Sequence, residues 1–253
     1  FDISKHIDLT SGDRHIVRFD PIIQPGNEKY VHHMLLHACG TTSGSPYSTH
    51  SDGTTANVCG GSGNGNSPLA QGTCVTIVYG WAVGSSPLVL PTDAGVRIGT
   101  SATGFTTRYL LLEIHYDNAA RDAGVVDSSG VKMYVTAASN TRTHDAAGLT
   151  LGMYGSPPNL VANTPNQHFE ATCSAACTNK FNGPVTVFGS FLHMHAYGKK
   201  IWTTHYPGAN TSNKVIRNRI DFWNFEFQQT TPVNYVINKG DKLSIHGIYD
   251  LTQ

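Results

Sequence analysis

Charge is scarce in this chain. Only 13% of its 253 residues are Asp, Glu, Lys or Arg, and the 17 basic side chains balance the 17 acidic ones. Such a balance gives no field to attract nucleic acid or an anionic membrane, so neither is expected as a partner. Long apolar runs are missing too: nothing approaches the roughly 18 residues that cross a bilayer, so no membrane span is expected. The N-terminus, Phe1-Asp2-Ile3, carries neither an initiator methionine nor the apolar stretch of a signal peptide, and the chain reads as a processed or truncated product. Nowhere do apolar residues recur at helical spacing over a dozen positions, which argues against long helices.

What is present is β-rich. Runs of Val, Ile, Tyr, Phe and Thr, punctuated by Gly, Pro, Asn and Asp, predict strands at 15–19, 30–37, 74–82, 107–116 and 131–136. Further runs fall at 149–154, 185–195, 200–206, 221–228 and 242–249. The expected fold is all-β, with two tandem antiparallel β-sandwich domains. With 39% hydrophobic residues the chain can build two cores. A polar stretch between Thr136 and Leu149 has linker composition, placing the domains at 1–142 and 143–253.

From Thr41 to Gly72 the chain is dominated by Gly, Ser, Thr and Asn, too polar for a core strand. So long a loop needs a tie. Cys39 and Cys74 bracket it, and a disulfide closing it would stabilise by about 4 kcal/mol in the chain-entropy model. Cys59 lies inside. Five cysteines leave at least one without a partner in an oxidising compartment. The composition and the single sequon, Asn210-Thr211-Ser212, favour a secreted or luminal glycoprotein with Asn210 as acceptor. The cytosolic alternative, zinc held through Cys173 and Cys177, lacks the second well-spaced pair of a structural zinc site.

The chemistry is carried by the 13 histidines, several of them in otherwise apolar strands. His32 and His33 are adjacent within Val31-His32-His33-Met34-Leu35-Leu36-His37. Adjacent strand residues face opposite ways, so the two share a metal only if the backbone is distorted or each uses a different ring nitrogen. His115 ends an apolar strand and reads by itself as a core histidine or a ligand. His193 and His195, an i, i+2 pair on one strand face, form a bidentate metal platform. Glu113 shares a face with His115, either orienting it or standing in solvent.

Taken in order, these residues resemble the copper-dependent, ascorbate-using monooxygenases, the dopamine β-hydroxylase and peptidylglycine hydroxylase family. The resemblance runs from Pro21-Ile22-Ile23 through Gly26-Asn27-Glu28, His32-His33-Met34, Gly80-Trp81-Ala82, Leu112-Glu113-Ile114-His115-Tyr116 and Asp127-Ser128-Ser129-Gly130. It continues through Cys173 and Cys177, Leu192-His193-Met194-His195, Gly198-Lys199 and Gly240-Asp241. It implies two jelly-roll-like sandwiches with one copper each. An electron-transfer copper would be held by His32, His33 and His115, and a second, where dioxygen and substrate meet, by His193 and His195. Ascorbate would supply the electrons for hydroxylating a C–H bond.

The sequence also departs from the family. The resemblance implies a methionine thioether at the second copper, from a strand beyond the His-x-His pair. The methionines here are Met34, Met133, Met153 and Met194, none so placed, and the second site is incomplete. Truncation rather than substitution is the expectation. His246 is the positional substitute, ahead of His205 and His37. The family partners of Cys59, Cys173 and Cys177 are missing as well, so partner chains or further domains would have to supply them. Substrate is open: Phe191 stands where peptidylglycine hydroxylases carry a carboxylate-binding arginine, and Leu35 where dopamine β-hydroxylase has an acid. The alternative to an enzyme is a non-catalytic structural or interaction module of an extracellular assembly that keeps the fold.

Overall fold

A computed structural model of the chain describes residues 1–39, 74, 76–99, 107–152 and 159–252. The chain divides into two compact units. The first comprises Phe1–Trp81 with Ser86–Leu149, the second Ala82–Ser85 with Thr150–Gln253. Cys59 and Met153 lie outside the described residues.

The first unit is built from β1 (Arg14–Ile22), β2 (Val31–Cys39), β3 (Thr76–Ala82), β4 (Leu88–Val89), β5 (Ala94–Ile98), β6 (Tyr109–Tyr116), β7 (Gly130–Val135) and β8 (His144–Asp145). One sheet has β1 at its centre, with β7 along one edge and β4 and β5 along the other. The second sheet is β3-β2-β6. β1 pairs antiparallel with β4, β5 and β7, as β2 does with β6, whereas β5 pairs parallel with β8. Phe19 of β1 stacks on Tyr79 of β3, ring centroids 5.1 Å apart, so the two sheets face one another across the core. Phe19, Ile16, Ile98 and Met34 fill it with no solvent exposure. The all-β expectation holds.

The second unit contains β9 (Gln167–Cys173), β10 (Val185–Phe191), β11 (Gly198–Tyr206), β12 (Val215–Ile220), β13 (Thr230–Ile237) and β14 (Lys242–Tyr249). A four-stranded sheet runs β12-β11-β14-β9, and β10 pairs with β13. Between them Leu192 and Met194 pack on Ile201, Ile245 and Tyr249, while Cys173, Ile237 and Leu243 form a second cluster with Val187 and Tyr235. Pro232, which cannot donate to a ladder, sits opposite Gly189 where the β10–β13 register shifts.

Four expectations need correction. Strand β10 stops at Phe191, because Phe191 with Thr230 is its last ladder pair. Residues 221–228 form turns rather than a strand: Asn224 Oδ1 accepts from the Glu226 amide, closing a local turn that competes with extended pairing. Residues 149–152 are not in a strand, and 153–154 lie outside the described residues. Strands β5, β9, β12 and β13, by contrast, form where polar residues had masked the alternation.

The structure joins Cys39 to Cys74, and it joins Cys173 to Cys177. The latter two, for which the family resemblance implies distant partners, lie at the end of β9 and within the helical turn Ala175–Thr178.

Each unit also has a buried histidine pinned by an aspartate. His15, fully buried, donates through Nε2 to Asp145 at 2.9 Å while Nδ1 accepts the Arg142 amide. His205 donates through Nε2 to the buried Asp241 at 2.8 Å, and its Nδ1 accepts from Arg217. In both rings one nitrogen accepts and the other donates, which fixes the tautomer and commits His205 to structure.

Candidate metal centre

The β2–β6 ladder builds the first histidine site. His33 and His115 are directly opposed across the pair, and the register shifts between Val31 and His33, leaving His32 as the extra residue of a bulge. A bulge re-aims its side chain. His32 therefore joins its neighbour on one side of the sheet, which regular alternation would forbid. His32 Nδ1 lies 2.9 Å from His33 Nδ1, and His33 Nδ1 lies 3.2 Å from His115 Nδ1. One ligand nitrogen from each falls within 4.8 Å of the others, and burial grades from His32, buried, to His115, exposed. Among the described residues this is the one cluster of three or more His, Cys, Asp or Glu side chains so compact. Metal–imidazole bonds of about 2.0 Å suit three nitrogens so gathered, and three imidazoles are a donor set that accepts copper in either oxidation state.

The segments carrying these histidines are braced at one end. The Asp127 carboxylate accepts from Asn27 at 2.7 Å, from the Tyr116 hydroxyl at 2.8 Å and from Ser129 at 2.7 Å. Asn27 precedes β2 and Tyr116 follows His115, so one carboxylate fastens both. Burial would raise the Asp127 pKa, but the hydrogen bonds from Asn27, Ser129 and Tyr116 outweigh it and hold the carboxyl below its usual range. Tyr116 is pushed up to about 12, by burial first and then by its bond to Asp127. Glu113 is neither a solvated edge residue nor committed to His115: it accepts from buried His37 at 3.2 Å. That bond, opposed by burial and helped by the charges of His37, His33 and His115, keeps its carboxyl below the ordinary value.

The second unit brings His193 and His195 together in a different way. They lie just beyond the end of β10, yet alternation persists, with Leu192 and Met194 buried and both histidines exposed. The rings meet edge to face, centroids 5.2 Å apart. Met194 is anchored in the core and turned from any ligand role. His193 Nδ1 lies 2.6 Å from Gln228 Oε1, while Gln228 Nε2 donates to the Phe225 carbonyl at 2.9 Å. With the amide oriented by that carbonyl, Nδ1 of His193 is the donor and Nε2 keeps its lone pair for a metal. Gln228 is 2% exposed, and its own carbonyl accepts from the Ser85 hydroxyl at 2.6 Å. Sequence reasoning missed Gln228; the signal available was a polar residue closing a run that holds the aromatics Phe225 and Phe227.

No third His, Cys, Asp or Glu among the described residues completes a compact set with His193 and His195. His246, the positional substitute, is engaged instead with His168 and Trp202 on the four-stranded sheet. Met34 and Met133 lie on strands of the first unit. Three imidazoles so gathered fit copper, and His193 with His195 offer two imidazoles more.

An all-β chain with three clustered imidazoles on one strand pair and a His-x-His pair in its second unit carries donor sets suited to a metal. Residues 3–123 match the N-terminal domain of the copper type II ascorbate-dependent monooxygenases and residues 144–253 match their C-terminal domain, and the chain belongs to that family. It is 33% identical over 245 residues to a tyramine beta-hydroxylase of Caenorhabditis briggsae, covering 93% of this chain and 38% of that protein. It is 29% identical over 225 residues to the DBH-like monooxygenase protein 1 of Mus musculus, covering 85% and 34%. With the dopamine beta-hydroxylase of Equus caballus it shares 28% over 230 residues, covering 88% and 35%. The chain thus spans little more than a third of the length of these curated relatives.

Proposed function

We propose that the chain is the copper-binding part of a monooxygenase that hydroxylates a C–H bond with dioxygen, using ascorbate as reductant. The convergence of His32, His33 and His115 carries this reading: the bulge turns to one side two adjacent histidines that regular alternation would separate. These three would hold one copper and His193 with His195 a second. Bound copper would supply one-electron redox chemistry between Cu(I) and Cu(II). The protein's own part is orientation. The ladder sets His33 against His115, the Asp127 brace fixes the strand ends, and Gln228 holds His193 with Nε2 outward.

Cys39–Cys74 and the exposed turn at Asn210, whose side chain accepts from the Ser212 amide, support a secreted or luminal glycoprotein. The test uses the full-length protein, loaded with copper and supplied with ascorbate. Oxygen consumption is measured against panels of amines and glycine-extended peptides, and coupled hydroxylation of either is the expected result. Copper binding with ascorbate oxidation but no hydroxylated product across both panels would instead favour the structural module.

A further inference from the structure

A second histidine cluster, which the copper reading leaves unused, lies on the outer face of the β12-β11-β14-β9 sheet. Alternation sends Ile201, Leu243 and Ile245 to the core and turns Trp202, His246, His168 and Glu170 the other way. The ladder sets His246 opposite both Trp202 and Glu170, and His168 stands two residues before Glu170 on the same strand face. Trp202 lies parallel to the His246 ring, centroids 4.8 Å apart and planes within 9°, which fixes the imidazole. The His246 side chain is 10% exposed, and its Nε2 is enclosed without a hydrogen-bond partner. Only Nδ1 is presented to other groups. His168 Nε2 is 3.2 Å from it and Glu170 Oε2 is 3.9 Å.

A His-x-Glu pair on one strand and a histidine on the next give two imidazoles and a carboxylate around one point. We propose that His168, Glu170 and His246 form a divalent transition-metal site, with zinc as its natural occupant, that shares no residue with the copper ligands. The donor set excludes a hard cation, since calcium and magnesium take oxygen ligands, and it offers no thiolate or thioether to favour Cu(I). A tetrahedral zinc with bonds of about 2.0 Å places its ligand atoms about 3.3 Å apart. The His168–His246 separation already meets this. The Glu170 carboxylate stands 3.9 Å from His246 Nδ1, so closing the site takes a rotation of Glu170 or His168, both exposed, with no change in the strands. Water completes the shell. To join it Glu170 gives up its hydrogen bonds with the Ser244 and Thr172 hydroxyls, the latter at 3.1 Å, and a distant Lys242.

The experiment takes the copper-loaded chain, equilibrates it with zinc, passes it through gel filtration and counts both metals. We expect one zinc per chain beyond the copper. His168→Gln and Glu170→Gln, changes at exposed positions that leave the core alone, should each weaken zinc binding about tenfold or more without altering copper content. Cobalt in place of zinc should give a visible absorption band that both variants lose. Zinc binding at parent strength in both variants, or none in the parent chain, would overturn the proposal. Because copper is counted separately, a chain that binds no copper still reports on this site.

Discussion

In the first unit the three imidazoles are held by main-chain pairing: His33 and His115 face each other because β2 and β6 are in register, and His32 joins them because the register slips by one residue. In the second unit no ladder reaches the two imidazoles. They sit in a connection after β10, held by Met194 in the core beneath and by the side chain of Gln228. A site written into a ladder is set by many cooperative hydrogen bonds, whereas one held by a side-chain bond depends on a few. The His193–His195 pair should therefore be the one more easily loosened.

The largest effect that separates the units lies in their buried pins. Asp241 is nearly fully buried and accepts from His205 and from the amides of Gly208 and Asn238. Asp241→Ala should cost about 3 kcal/mol in a denaturant melt, as expected for stripping a partner from a buried charged network. Asp145 is 42% exposed, and Asp145→Ala should cost only about 1 kcal/mol. Equal losses would show that the first unit depends on its pin as heavily as the second.

His33→Ala should then lower copper affinity at the three-histidine site about a hundredfold, measured by titration against a chelator, with little change in unfolding. Gln228→Ala should weaken copper at the second site about tenfold and leave the first untouched. Loss at both would break the contrast between a ladder-built and a side-chain-built site. NMR of the His193 ring should show a mixture of tautomers in that variant in place of one.

The smallest effect is acid sensitivity. Asp127 has a folded-state carboxyl pKa below its unfolded value, so its contribution is complete above about pH 4 and is lost as pH falls through the depressed value. Asp127→Asn should flatten the acid limb of the stability curve, and copper binding at the first site should lose part of its pH dependence below that point. An unchanged acid limb would remove Asp127 from the brace.

Much of this molecule was legible from residue order alone. Strands such as β1, β2, β6 and β14 declare themselves through Val, Ile, Leu and Tyr, and the all-β class follows from local propensity with no helical period to compete. Adjacent His32 and His33 stated the problem that a bulge solves, but not that the bulge exists. Strands β9 and β12 were hidden because they carry His168, Glu170, Arg217 and Arg219, which dilute the apolar signal. The segment 221–228 misled in the opposite sense: its aromatics, Phe222, Trp223, Phe225 and Phe227, imitate a strand, while Asn224 closes a turn.

The sequence by itself determined the fold class, the residue types able to ligate a metal and the strands most of them occupy, since these depend on propensity and alternation within a few neighbours. Tertiary structure alone decided which ring meets which: that His115 faces His33, that Gln228 orients His193, that Glu113 serves His37, and that His246 turns away to His168 and Trp202. Those outcomes depend on register and on contacts between residues far apart in the chain, and a shift of one residue in any ladder would have sent each side chain to the opposite face.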